Sequence, residues 1–100
     1  MLNSRQRAQL RAMGNELDTI VQIGKGGIGD NLITQVSDAL KAREIIKCRV
    51  LEASMLTARE ACDEICQLVR AEPVQVIGTR FVIYKENHDI PKEKRIRLVK

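Results

Sequence analysis

Four glycines and one lysine fall within six positions, Gly24-Lys25-Gly26-Gly27-Ile28-Gly29, between the apolar run Thr19-Ile20-Val21-Gln22-Ile23 and a helical pattern that starts near Asp30. A strand must hand over to a helix here through a loop almost free of side chains. A strand that leaves into a helix returns to its sheet as a parallel neighbour through a right-handed crossover, so an α/β fold is built into this one stretch. Glycine lets another backbone approach closely and permits positive φ. The helix that follows presents unpaired N–H groups and a partial positive charge. The loop is therefore suited to a close, anionic partner.

The rest of the chain extends the pattern in both directions. Ser4 can cap an opening helix whose apolar positions Leu10, Met13 and Leu17 recur at helical spacing, with Arg5, Arg7 and Arg11 crowding its first turns. Arg7 and Arg11 are four apart and share a face, an unfavourable site for cations near a helix N-terminus unless an anion relieves them. Gly14 inside this helix costs about 1 kcal/mol relative to alanine, which suggests close packing. After the loop, Leu32, Ile33, Val36, Ala39 and Leu40 form the stripe of a second helix. Ile45 to Leu51 alternates as a strand, with Ile46, Cys48 and Val50 on one face and Lys47 and Arg49 on the other. Thr57-Ala58-Arg59-Glu60 is a capping box that opens a third helix. Val74 to Ile77, then Gly78-Thr79-Arg80, then Phe81 to Tyr84 reads as a β-hairpin with a glycine-started turn.

The order is α-βαβαββ: a single compact α/β domain with a four-stranded mixed sheet and packed helices. Its expected limits are residues 1–86, followed by a basic, flexible tail over 87–100 with mixed charge and few apolar residues. The polar opening from Met1 to Arg7 has no signal-peptide pattern, and no apolar run approaches the ~18 residues of a membrane span. A cytoplasmic chain is expected. Cys48, Cys62 and Cys66 sit in regular patterns and read as reduced, buried thiols.

Net charge is +4, unevenly spread: residues 51–85 hold four Lys and Arg against five Asp and Glu, so the excess lies toward the two ends. That balance favours an anionic partner. With one Tyr, one Phe and no Trp, the chain lacks the aromatic platforms of the commonest single-strand readers, so a nucleic acid would be held by backbone and shape. Rival chemistries have little to stand on. Gly24-x-Gly26-x-x-Gly29 satisfies the dinucleotide fingerprint, with Glu52 near the end of the next strand, but the chain is too short for both mononucleotide halves. Cys62 and Cys66 lie one helical turn apart, yet Cys48 is remote and His88 falls in the tail, so no metal site is expected. No nucleophile has a nearby base, and no catalytic residue is assigned.

The Gln22-Ile23-Gly24-Lys25-Gly26-Gly27 run, the opening helix from Ser4 to Leu17, the Asn31-Leu32-Ile33 helix start, and Gln75-Val76-Ile77-Gly78 leading into Phe81-Val82-Ile83-Tyr84 together resemble the CRM domain, the chloroplast RNA splicing and ribosome maturation module. More narrowly, the chain is similar to its stand-alone bacterial YhbY type, in order over about residues 2–86. Thr19 stands where that family often has proline, and Asn15 where it often has histidine. The resemblance implies a fold similar to the C-terminal domain of bacterial translation initiation factor three, no enzymatic activity and no cofactor. It also implies binding to ribosomal RNA in precursors of the large ribosomal subunit. It makes the loop similar in role to the GxxG loop of KH domains, which puts Gly24, Lys25, Gly26 and Gly27 at an RNA backbone. Arg7, Arg11, Lys47 and Arg49 would extend the cationic surface. The expectation is a monomeric RNA-binding protein that assists large-subunit assembly, with ribosomal proteins as possible further partners. The alternative is an adaptor docking on a ribosomal protein through the open sheet face and tail; a dinucleotide-binding module is the remaining rival.

Overall fold

Asn3, rather than Ser4, starts the first helix, because its side chain accepts from Gln6 N at 2.8 Å while Gln6 Oε1 accepts from Asn3 N at 3.0 Å. This reciprocal capping box sets α1 at Ser4–Gly14. Arg11 therefore falls in the last turn, where a cation suits the helix dipole, and only Arg5 and Arg7 remain at the unfavourable end. The computed structural model describes residues 2–99; Met1 and Lys100, the outermost members of the expected domain and tail, lie outside the described residues. The further elements are β1 (Thr19–Ile23), α2 (Asp30–Arg43), β2 (Ile45–Val50), α3 (Ala58–Val69), β3 (Glu72–Ile77) and β4 (Arg80–Tyr84). The Thr57 capping box opens α3 as read from the sequence, and hydrogen bonds from Thr57 hold the Glu60 carboxyl below its ordinary pKa.

The four strands lie in the order β1-β2-β4-β3. β1 pairs parallel with β2, and β4 pairs antiparallel with both β2 and β3, so β4 is wedged between two strands that precede it in the chain. The hairpin turn uses Gly78 at φ +58° while Thr79 has negative φ, the sign pattern of a type II′ turn that matches strand twist. Pro73 is tolerated because β3 is an edge strand and its pairing is irregular there.

Helices α2 and α3 cover one face of the sheet. Val36, Leu40, Ala61, Cys62 and Ile65 pack there against Val21, Ile23, Ile46, Cys48, Phe81 and Ile83. The three cysteines are free and buried, and burial beside Cys62 pushes the Cys48 thiol up to about 12. On the other face α1 and the end of the chain build a smaller cluster, in which Leu10, Ile45, Val74, Val82 and Tyr84 are buried and Met13, Leu17, Ile96 and Leu98 pack against them. Gly14 is the contact point. A Cβ on it would stand 3.0 and 3.1 Å from the two methyls of Val82, so α1 rests directly on β4. Gly14→Val should therefore lower stability by about 2–3 kcal/mol, because Val82 is buried and, being β-branched, stiff at χ1. Urea unfolding measures it, and an unchanged midpoint would show that α1 does not rest on Val82.

The segment 87–100, expected from its composition to be a flexible basic tail, is held to the domain in its described part. Ile96 and Leu98 lie in the second cluster, and Gln9 binds the segment twice, donating to Arg97 O at 2.7 Å and accepting from Val99 N at 2.8 Å. The anchor is Glu44, 1% exposed: its two carboxylate oxygens accept from Asn87 N and Ile96 N, each at 2.9 Å, and its carbonyl accepts from Lys85 N at 2.8 Å. Glu44 also has φ +64° and ψ −36°, a sparsely populated conformation for a non-glycine residue.

Candidate functional site

The glycine loop projects from the end of edge strand β1. Gly27 N donates to Gly24 O at 2.9 Å, closing a turn with Lys25 and Gly26 at its centre and Lys25 exposed. The loop glycines differ in what they are for. Gly27 has φ +65°, which side chains resist, and Gly24 would bring a Cβ into ordinary contact with Leu51. Gly26 and Gly29 have neither constraint, since a Cβ on either would meet nothing within 4 Å. The fold does not require those two positions to be bare; bareness there serves whatever approaches from outside. Gly29 is also the N-cap of α2 and offers no side-chain acceptor, so the first amides of the helix stay open toward the loop. Gln22, Gly24, Gly26, Gly27 and Gly29 line a shallow cavity of about 520 Å³ at this corner, with Asp30 the single acidic side chain on its rim among the described residues.

Strand register connects this corner to the rest of the cationic surface. Gln22, which lines the loop cavity, pairs with Arg49 on β2; Arg49 pairs with Arg80 on β4; Arg80 pairs with Ile77 on β3. Directly opposed residues share a face, so this row crosses all four strands on the side of the sheet that carries α1. One step inward lies the row of Lys47, Val82 and Gln75, on which α1 ends through the Gly14 contact. The outer row lies past the end of the helix, and Arg49, Arg80 and Ile77 are all exposed.

Each expected contact residue can now be placed. Gly24, Lys25, Gly26 and Gly27 form the corner; Lys47 and Arg49 lie on the sheet face next to it, as strand alternation predicts. Arg7 and Arg11 are half-buried on α1 and line neither the loop cavity nor the pocket on the sheet. They form a line with Asn15, four residues further on, and Asn15 borders a pocket with Lys47, Gln75, Ile77 and Arg80. Arg80 reads in the sequence as a turn residue, and its place opposite Arg49 depends on a strand pairing that alternation does not reveal. Two arginines directly opposed on neighbouring strands repel. Among the described residues, no carboxylate lies within 4 Å of Lys25, Lys47, Arg49 or Arg80; the ion pairs found join Arg95 and His88 to Glu86. The acidic side chains Glu60, Asp63 and Glu64 are exposed on α3, across the sheet from this surface.

The rival readings meet the same geometry. A dinucleotide site needs its first strand inside the sheet, where the strand order reverses and a crevice opens. Here β1 is the edge, so the fingerprint glycines border open surface. Among the described residues no group of three or more His, Cys, Asp or Glu could hold a metal ion, and no helix is long and apolar enough to cross a membrane.

Comparison with known proteins agrees with this architecture. The solution structure of the hypothetical protein SAV1595 from Staphylococcus aureus superposes with a TM-score of 0.76 and 37% identity, covering 99% of this chain and 100% of that one. In sequence, the chain is 38% identical over 89 residues to the Bacillus subtilis “Probable RNA-binding protein YqeI”, covering 89% of this chain and 93% of that protein. It is 26% identical over 88 residues to a Haemophilus influenzae protein named “RNA-binding protein”, covering 88% and 89% of the two chains. Residues 2–85 match the family described as the CRS1 / YhbY (CRM) domain. With its fold, its glycine corner and nearly its whole length accounted for in this way, the chain belongs to the CRS1/YhbY (CRM) domain family.

Proposed function

We propose that this protein binds RNA without catalysing a reaction, that its glycine corner grips the sugar-phosphate backbone, and that the RNA is ribosomal, within a precursor of the large subunit. The observation that carries the reading is the pair of unconstrained glycines, Gly26 and Gly29, following an exposed lysine, Lys25, that has no carboxylate partner among the described residues. Backbone amides at the start of α2 and one ammonium group suit a phosphate, and the absence of Cβ atoms lets a polynucleotide chain come close. Relatives named for RNA binding support the class of ligand. The resemblance to the YhbY type supports the ribosomal particle. The adaptor alternative, which needs the tail free to dock, is weakened because Ile96 and Leu98 of that segment pack, partly buried, against the second cluster of this domain.

The test is salt dependence. Lys25→Ala should lower the slope of log affinity against log salt by about one phosphate contact and weaken binding a few-fold at every sequence. Gly26→Val, which the fold has room for, should weaken binding while leaving the unfolding midpoint in place. Unchanged slope and affinity in both variants, with retained association with ribosomal particles, would move the function to a protein-docking surface.

A further inference from the structure

The strip that starts at the glycine corner ends in a pocket that backbone gripping does not use. Asn15, Lys47, Gln75, Ile77, Arg80 and Val82 border a hollow of about 200 Å³ on the sheet, just past the end of α1. Its size is below the roughly 300–1,000 Å³ of sites for drug-sized ligands and suits a single flat ring system. Its lining is mixed in a specific way. Ile77 is an aliphatic wall left 57% exposed, at a place where the opposite face of the same hairpin is buried. Gln75 and Asn15 carry side-chain amides, each able to donate and accept, and none of their hydrogen-bonding capacity is taken by another described side chain or backbone group. Lys47 and Arg80 bring positive charge to the rim, and Arg49 stands directly opposite Arg80.

Apolar wall, paired amides and unneutralised guanidinium groups match the parts of one nucleotide. A base can rest on Ile77 and on the plane of an arginine, its edge can meet the amides, and its phosphate can sit between Arg49 and Arg80, relieving their repulsion. The row Gln22, Arg49, Arg80, Ile77 spans three strand spacings, about 14 Å, so a strand held at the glycine corner reaches the pocket without leaving the protein. A duplex keeps its bases stacked inside and cannot deliver one there. We infer that the pocket bounded by Asn15, Gln75, Ile77 and Arg80 takes an unstacked base from single-stranded RNA, so that the protein joins backbone gripping at the loop to a single-base contact at the far side of the sheet. This rests on the RNA-binding reading above and adds a preference for unpaired segments.

The experiment titrates isotope-labelled protein with a ten-nucleotide single-stranded RNA of mixed sequence and with the duplex of the same sequence. The single strand should shift the Lys25 and Gly26 amides together with the Ile77 methyls and the Gln75 and Asn15 side-chain amides; the duplex should shift the loop alone. Ile77→Ser, at an exposed position, should lower single-strand affinity about fivefold and leave duplex affinity unchanged. Shifts confined to the loop, or equal pocket shifts with the duplex, would overturn the pocket assignment while leaving RNA binding in place. Absence of shifts at both places with either RNA would remove the RNA reading itself. Loss of ribosomal association in Ile77→Ser with unchanged single-strand affinity would assign the pocket to a protein partner and also overturn the proposal.

Discussion

Glu44→Ala is expected to destabilise the protein by about 3 kcal/mol, because three costs coincide. The amides of Asn87 and Ile96 lose their acceptors in a place the carboxylate had filled completely. Alanine keeps the unfavourable φ of +64° without the hydrogen bonds that hold it there. The segment that brings Ile96 and Leu98 onto the second cluster loses its anchor, so apolar surface follows. Two further substitutions separate these contributions. Glu44→Gln preserves the volume but turns one of the two acceptors into a donor aimed at a backbone N–H, so it should recover little. Glu44→Gly loses the same hydrogen bonds but relieves the backbone, and should be about 1 kcal/mol more stable than the alanine variant. Urea midpoints give the energies, and amide hydrogen exchange gives the cause: Asn87 and Ile96 should both exchange fast in the alanine and glycine variants, and one of the two in the glutamine variant. Parent-like protection of those two amides would show that Glu44 is not what holds the segment.

Arg49→Glu should move stability and RNA affinity in opposite directions. In the protein alone, the substitution turns a repelling cross-strand pair into an attractive one, with a carboxylate facing Arg80 in place of a second guanidinium, and should stabilise by about 0.5 kcal/mol. Toward RNA it removes one cation from the middle of the strip and occupies a second, and affinity should fall about tenfold with a shallower salt slope. Arg49→Ala should lie between the parent and the glutamate variant in both measurements. Few accidental surface substitutions have this signature, since loss of binding through misfolding would lower both quantities together. Loss of affinity with a lowered unfolding midpoint would show that Arg49 supports the fold, and unchanged affinity would take the sheet strip out of the interface.

What can be read from the chain in advance follows from which signals are local. The Thr57 cap, the start of α2 at Asp30, the limits of β1 and the glycine-started hairpin each depend on a few consecutive residues, and they lie where the sequence places them. Ala58, Ala61, Cys62, Ile65, Cys66 and Val69 are buried at helical spacing along α3, and the two cysteines among them are the buried thiols that the sequence leads one to expect. The cap of α1 lies one residue before the expected Ser4 because Asn3 and Ser4 are both good capping residues, and only Gln6, three positions after Asn3, decides between them. Other features depend on a partner far along the chain. Glu44 looks like a solvated charge after a basic helix end until Asn87 and Ile96 are brought to it. Arg80 looks like a turn residue until β4 is laid beside β2. Lys47 and Arg49 are visible through alternation, but the uncovered end of the sheet on which they lie is defined by where Gly14 stops α1.

The wedged position of β4 bears on how the chain comes into being. Its innermost pairings join Ile45 to Tyr84 and Cys48 to Phe81, so the middle of the sheet stays vacant until synthesis has passed residue 80. A nascent polypeptide that stalls earlier carries β2 and β3 with unfilled hydrogen-bonding edges and an apolar face awaiting Phe81 and Ile83, the features that drive intermolecular strand pairing. Folding is therefore deferred until β4 has been made, and products terminated before it should be aggregation-prone rather than half-functional.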